Sequence, residues 1–189
     1  MKKFMNVILC ASLVGCVNIP TVKDIPQKNI YLVNDEIVIE KAMFDKIWAE
    51  AQKVAGVGTA YQPEIKMGGY SPSADVWKDI YGTYFSGDRH ITIWLAEIVG
   101  KHEEKNILVI VCYVVAHEYL HHLYDYKYPV ARGEKFDNGK IRDDHCLMIE
   151  TGDIDKLNKF VSKVTQVKDY WYFENFMLDA AEYGCRAGL

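Results

Sequence analysis

The sequence predicts one α+β domain, in which a small sheet lies beside a long apolar helix and further helices follow it. Three observations carry this. Of the 189 residues, 50% are hydrophobic, 25% charged and 13% aromatic, the balance of one packed domain and too apolar for a disordered chain. Two β-prone runs, 81–85 and 89–94, flank the turn-forming Ser86-Gly87-Asp88. An apolar run over 107–116 leads into a helix-compatible stretch that Pro129 brings to an end. The same composition excludes other classes. Against 26 Asp and Glu stand 22 Lys and Arg, a net charge of −4 with no basic run, so no nucleic-acid partner is expected. Five cysteines are too few for a disulfide scaffold of this size. No stretch reaches the roughly 18 consecutive apolar residues of a membrane-spanning helix.

The N-terminus carries the one membrane signal. Lys2 and Lys3 precede a short apolar segment over 4–14, which ends in Leu13-Val14-Gly15-Cys16. It is too short to span a bilayer and reads as a secretion signal. Leu13-Val14-Gly15-Cys16 resembles the bacterial lipobox, which implies cleavage before Cys16 and lipidation of that cysteine. Residues 1–15, Cys10 among them, are then signal peptide. The rest is tethered by acyl chains in the cell envelope, and Val17 after the cysteine favours the outer membrane or a periplasmic face. Residues 16–34, with Pro20 and Pro26, read as an extended tether, and 35–189 as the folded domain.

Within that domain, Met43, Phe44, Ile47, Trp48, Ala51 and Val54 recur at helical spacing up to Gly56. A Gly- and Pro-rich stretch follows, with room for one strand near 64–67. Then comes the hairpin, in which Ile91-Thr92-Ile93-Trp94 is the better strand. Composition alone allows residues 107–116 to be a buried strand, but the residues that follow favour a helix over about 104–126. A polar loop over 130–144 leads to an amphipathic helix carrying Ile154, Leu157, Phe160, Val161 and Val164. A last helix is expected over about 172–185.

His117-Glu118-Tyr119-Leu120-His121 carries the chemistry. On a helix, residues four apart share a face, so both imidazoles can reach one metal ion. Glu118 lies about 100° round from His117, placed to contact a metal-held water without ligating the ion. Together with the apolar helix leading into it and the β-prone segment before it, this motif resembles the zincin metallopeptidases. The resemblance covers roughly residues 81–126. It implies a zincin-like domain with a Zn²⁺ cofactor, His117 and His121 as ligands and Glu118 as general base. It also implies a strand, here 91–94, that pairs with an extended peptide substrate. His122 follows directly and points about 100° from His121, toward a supporting contact or the surface. His90 and His102 read as solvated loop histidines.

Catalytic zinc ordinarily takes three protein ligands, and two residues compete for the third place. His145 in Arg142-Asp143-Asp144-His145-Cys146 needs a loop to fold back, and its acidic neighbours are placed to orient its other ring nitrogen. Glu182, in Glu182-Tyr183-Gly184-Cys185, faintly resembles the later-helix glutamate of the gluzincins, although Cys185-Arg186 replaces the expected Ala-Asp; Glu174 is a weaker version. A third histidine six residues beyond His121, the metzincin arrangement, is absent because Lys127 stands there. His145 is favoured. In an oxidising envelope Cys146 and Cys185 are the expected disulfide, with Cys112 buried, and the absence of any disulfide is an equal alternative.

The reading is therefore a zinc peptidase of the bacterial envelope, in which a metal-acidified water attacks a peptide carbonyl with Glu118 as base and then acid. Two rivals stand beside it. One is a zinc amidase acting on cell-wall peptides. The other is a binding or assembly lipoprotein whose zinc is structural.

Overall fold

The computed structural model describes residues 41–71, 80–129 and 144–166, together with three short strands nearer the N-terminus. These are β1 (Val7–Ile8), β2 (Ile30–Val33) and β3 (Glu36–Ile39). They form a sheet of order β1-β3-β2, with β1 parallel and β2 antiparallel to β3. Ile30–Val33 falls in the segment read as a tether. Its four residues are apolar and mostly β-favouring, and they pair with an equally β-prone partner.

The main body begins with α1 (Lys41–Ala55), which buries Met43, Phe44, Ile47, Trp48, Ala51 and Ala55 along one face. After it come β4 (Glu64–Gly68), β5 (Gly82–Phe85), β6 (His90–Trp94) and α2 (Leu95–Lys101). The long α3 (Glu104–Lys127), the short α4 (Asp144–Glu150) and α5 (Asp153–Thr165) complete the described elements. The result is a mixed α+β architecture, as the sequence predicts, with five helices among the described residues. The last helix expected over 172–185 lies outside them, as does the loop over 130–143.

The second sheet has order β4-β6-β5. Here β5 and β6 form the expected hairpin, antiparallel with Phe85 opposite His90 and Gly82 opposite Ile93. Strand β4 lies parallel to β6 on its other side. This corrects one expectation. The sequence resemblance makes residues 91–94 the strand that pairs with substrate, but β6 is central and both its edges are occupied. The buried Ile91 and Ile93 explain the placement, since a strand this apolar is driven to the middle of a sheet.

Helix α3 is the axis of the core. It packs against α1, α2, α5, β5 and β6. Residues Lys105–Lys127 are long and apolar enough to cross a membrane, yet the apolar stretch is wholly enclosed by protein. A helix that is apolar all round must be buried on all sides, and here the surrounding helices and sheet do it. That enclosure also explains why a run so rich in Val and Ile is helical: packing on every face overrides its modest β preference.

Candidate metal centre

Helix α3 places His117 and His121 one turn apart on one face, and both are buried. His145 reaches them from the first turn of α4. The sequence reading set His145 on a returning loop; it stands on a seven-residue helix instead. The three rings converge through their Nε2 atoms, with His117 Nε2 lying 3.1 Å from His121 Nε2 and 3.2 Å from His145 Nε2. All three nitrogens lie within 4.8 Å of one another, and this cluster can hold a metal ion.

The spacing fits a bound cation better than hydrogen bonding alone. One proton can bridge only one pair of nitrogens, and His117 faces two. Burial pushes the His117 pKa well below its ordinary value, and the neighbouring His121 and His145 push the same way, so an extra proton is disfavoured. A tetrahedral ion held at about 2.0–2.1 Å would set its nitrogens roughly 3.3 Å apart, close to the two separations found here.

Asp144 supplies the orienting carboxylate, though not to the histidine expected. Its Oδ2 lies 3.1 Å from His121 Nδ1, both groups being buried. With the Nδ1 proton donated to Asp144, the lone pair of His121 sits on Nε2 and faces the cluster. The proposed service of Asp143 and Asp144 to His145 is therefore corrected for Asp144. Asp143 lies outside the described residues.

Glu118 is buried beside His117 and is not one of the clustered ligands. Edge strand β5 approaches it at Gly82, where no side chain intervenes. His122 departs from the surface alternative. It is fully buried, its Nε2 donates to the Tyr61 carbonyl at 2.9 Å, and its Nδ1 lies 3.1 Å from the Tyr84 hydroxyl. The rings of Trp48, Tyr61, Tyr84 and Tyr126 enclose it. Burial lowers its pKa, keeping it neutral and structural.

His90 is corrected as well, whereas His102 stands in the bend before α3, as expected, and is half-buried. His90 opens β6, half-buried, stacked on Phe85 with centroids 4.6 Å apart and its Nδ1 2.7 Å from Asp88. His102 caps α2 and lies 3.0 Å from the Tyr81 hydroxyl. Neither belongs to the three-histidine cluster. Cys112 is free and buried, as expected, and burial raises its thiol pKa. Cys146 is disulfide-bonded. Cys185, its expected partner, lies outside the described residues, as do Glu174, Glu182 and Cys16.

The sequence reading missed Asp144's partner, Gly82 and the aromatic enclosure of His122. The last left a faint signal in the chain's 13 tyrosines, but no spacing rule connects Tyr61 or Tyr84 to position 122. Neither a protein-family model, a characterised protein nor a solved structure matches this chain. The fold and the site alone define its class: a mixed α+β protein with a three-histidine, metal-capable centre between its core helix and α4.

Proposed function

We propose that this protein is a zinc-dependent peptidase, carried in the bacterial cell envelope by a lipid on Cys16. The observation that carries the reading is the convergence of His117, His121 and His145, with a carboxylate, Glu118, next to the cluster but outside it. Three neutral imidazoles suit zinc and leave its charge undiminished. Zinc bound there supplies Lewis acidity and lowers the pKa of the water it holds. Glu118 takes the proton from the attacking water and returns it to the leaving amine. Its burial limits competing solvent and strengthens each charge it meets. Asp144 holds His121 in the ligating tautomer throughout.

Substrate pairing passes from β6 to β5. Among the described residues β5 is an edge of the β4-β6-β5 sheet, and Gly82 brings it against Glu118. An extended peptide adding to that edge would be held by main-chain hydrogen bonds beside the reacting carboxylate.

The test compares three proteins for zinc content and for hydrolysis of a peptide library. Wild type is expected to bind one zinc per chain and cleave. Glu118→Gln is expected to keep the zinc and lose on the order of 10²–10⁴ in rate. His145→Ala is expected to lose the zinc. A wild-type protein that binds zinc tightly but cleaves nothing would favour the structural-zinc reading and end this one.

A further inference from the structure

Gly82 is the point at which β5 meets the helix bearing the motif. A Cβ built there would lie 2.4 Å from Val114 Cγ1, 2.9 Å from Glu118 Oε1 and 3.2 Å from Glu118 Cγ. Real Cβ atoms do not approach other heavy atoms at the first two distances. The backbone does not itself call for glycine, because Gly82 is not among the positive-φ residues. It sits in an ordinary strand, paired with Ile93. The requirement is therefore space, and the space belongs to Val114 and Glu118.

The alternation of β5 supports this. Tyr84, two residues on and so on the same face, reaches His122, one helical turn beyond Glu118. Thr83, on the opposite face, accepts a hydrogen bond from Trp94 Nε1 at 3.0 Å. The strand thus runs along α3, with Gly82 against 114 and 118 and Tyr84 against 122. A large side chain fits at the second station and none fits at the first.

We propose that Gly82 is a positioning residue for Glu118. The missing side chain is the slot in which the Glu118 carboxylate lies, and a methyl group there forces the carboxylate out of line. The two contacts respond differently to substitution. Val114 is packed core, so its clash separates strand from helix. Glu118 Oε1 is the far end of a flexible chain, so its clash is relieved by turning the carboxylate away. Misplacement of about 1 Å can cost on the order of 10²-fold in rate.

The inference rests on the peptidase reading only for the task of Glu118, and its test keeps the two apart. Gly82→Ala is made alone and with Val114→Ala, which relieves the packing clash, and Val114→Ala alone is the control. Zinc affinity is expected to match wild type in the double variant. Its kcat is expected to fall roughly 10–100-fold with KM kept. In a Glu118→Gln background, adding the pair should cost nothing further, because the group it displaces is already gone. A second readout needs no turnover: in the cobalt-substituted protein, the double variant should reproduce the change in visible spectrum that Glu118→Gln produces. Wild-type kcat and a wild-type cobalt spectrum in the double variant would overturn the role of Gly82 and leave the peptidase standing. A wild type without hydrolysis, but with the shared spectral change, would end the peptidase reading and uphold Gly82.

Discussion

Asp144 adjoins His145 in sequence, yet its carboxylate serves His121. The reason is helical geometry. Successive residues on a helix project about 100° apart, so when His145 points at the cluster its neighbour points elsewhere, here to the far side of a different ring. The sequence reading joined Asp144 to His145 because it treated the segment as a loop, where neighbours can share a direction. His117, Glu118 and His121 were legible for the converse reason: their spacing becomes a common face as soon as the segment is helical. Gly82 was not legible, since its meaning lies in a tertiary contact 36 positions away, with Glu118. Asp144→Asn keeps the shape but removes the charge that holds the His121 tautomer. Zinc affinity is expected to drop about 10–100-fold, measured by competition with a chelator. An unchanged affinity would mean that His121 needs no such support.

Among the elements, α1, the β5–β6 hairpin and α5 were readable from periodicity and turn residues, and α3 from its motif. The two helices that escaped, α2 and α4, have seven residues each, too short for a periodic pattern to declare itself. Helix α2 also begins at Leu95 directly after the strand residue Trp94, with no turn residue between them. A helix as short as α4 does not hold itself and takes its place from its neighbours. Thr151 and Gly152 turn the chain from α4 into α5 by donating to the Leu147 and Ile149 carbonyls, both at 3.0 Å. The Tyr124 hydroxyl of α3 then donates to Asp153 Oδ2 at 2.9 Å, pinning the start of α5 to the motif helix. Because His145 rides on α4, this bond reaches the histidine cluster. Tyr124→Phe leaves the buried Asp153 without that donor, and the expected loss is roughly 1–3 kcal/mol in denaturant unfolding. Zinc should also leave faster when a chelator is added, since α4 opens more often. Stability and release rate both at wild-type values would show that α4 is anchored some other way.

At the scale of the molecule, the question is what fixes the rotation of α3. A helix with an apolar face on one side is turned by burial alone, but α3 is apolar all round, so burial is nearly indifferent to rotation about its axis. Yet a rotation of a few tens of degrees would carry His117, Glu118 and His121 out of the site. Polar tips on the helix supply the missing specification, each reaching a different neighbour. Tyr113 meets Ser162 on α5, Tyr119 accepts from Gln62 Nε2 at 2.8 Å ahead of β4, and His122 bonds the Tyr61 carbonyl. Tyr124 completes the set at Asp153. Burial, the leading cause, raises the pKa of Tyr119 and of Tyr124 above the ordinary tyrosine value. The sign of the linkage follows. Between about pH 10 and the higher native pKa values, the unfolded chain releases phenolic protons that the native state keeps. Stability contributed by these tyrosines is therefore fully present below about pH 10 and declines above it, by up to about 1.4 kcal/mol per pH unit for each. Urea unfolding of the wild type across this range should show that decline, and Tyr124→Phe should show a shallower one because one of the titrating groups has been removed. A wild-type stability that stays level well above pH 10 would mean that these phenols titrate in the native state as they do in the unfolded chain, and that burial does not hold them protonated.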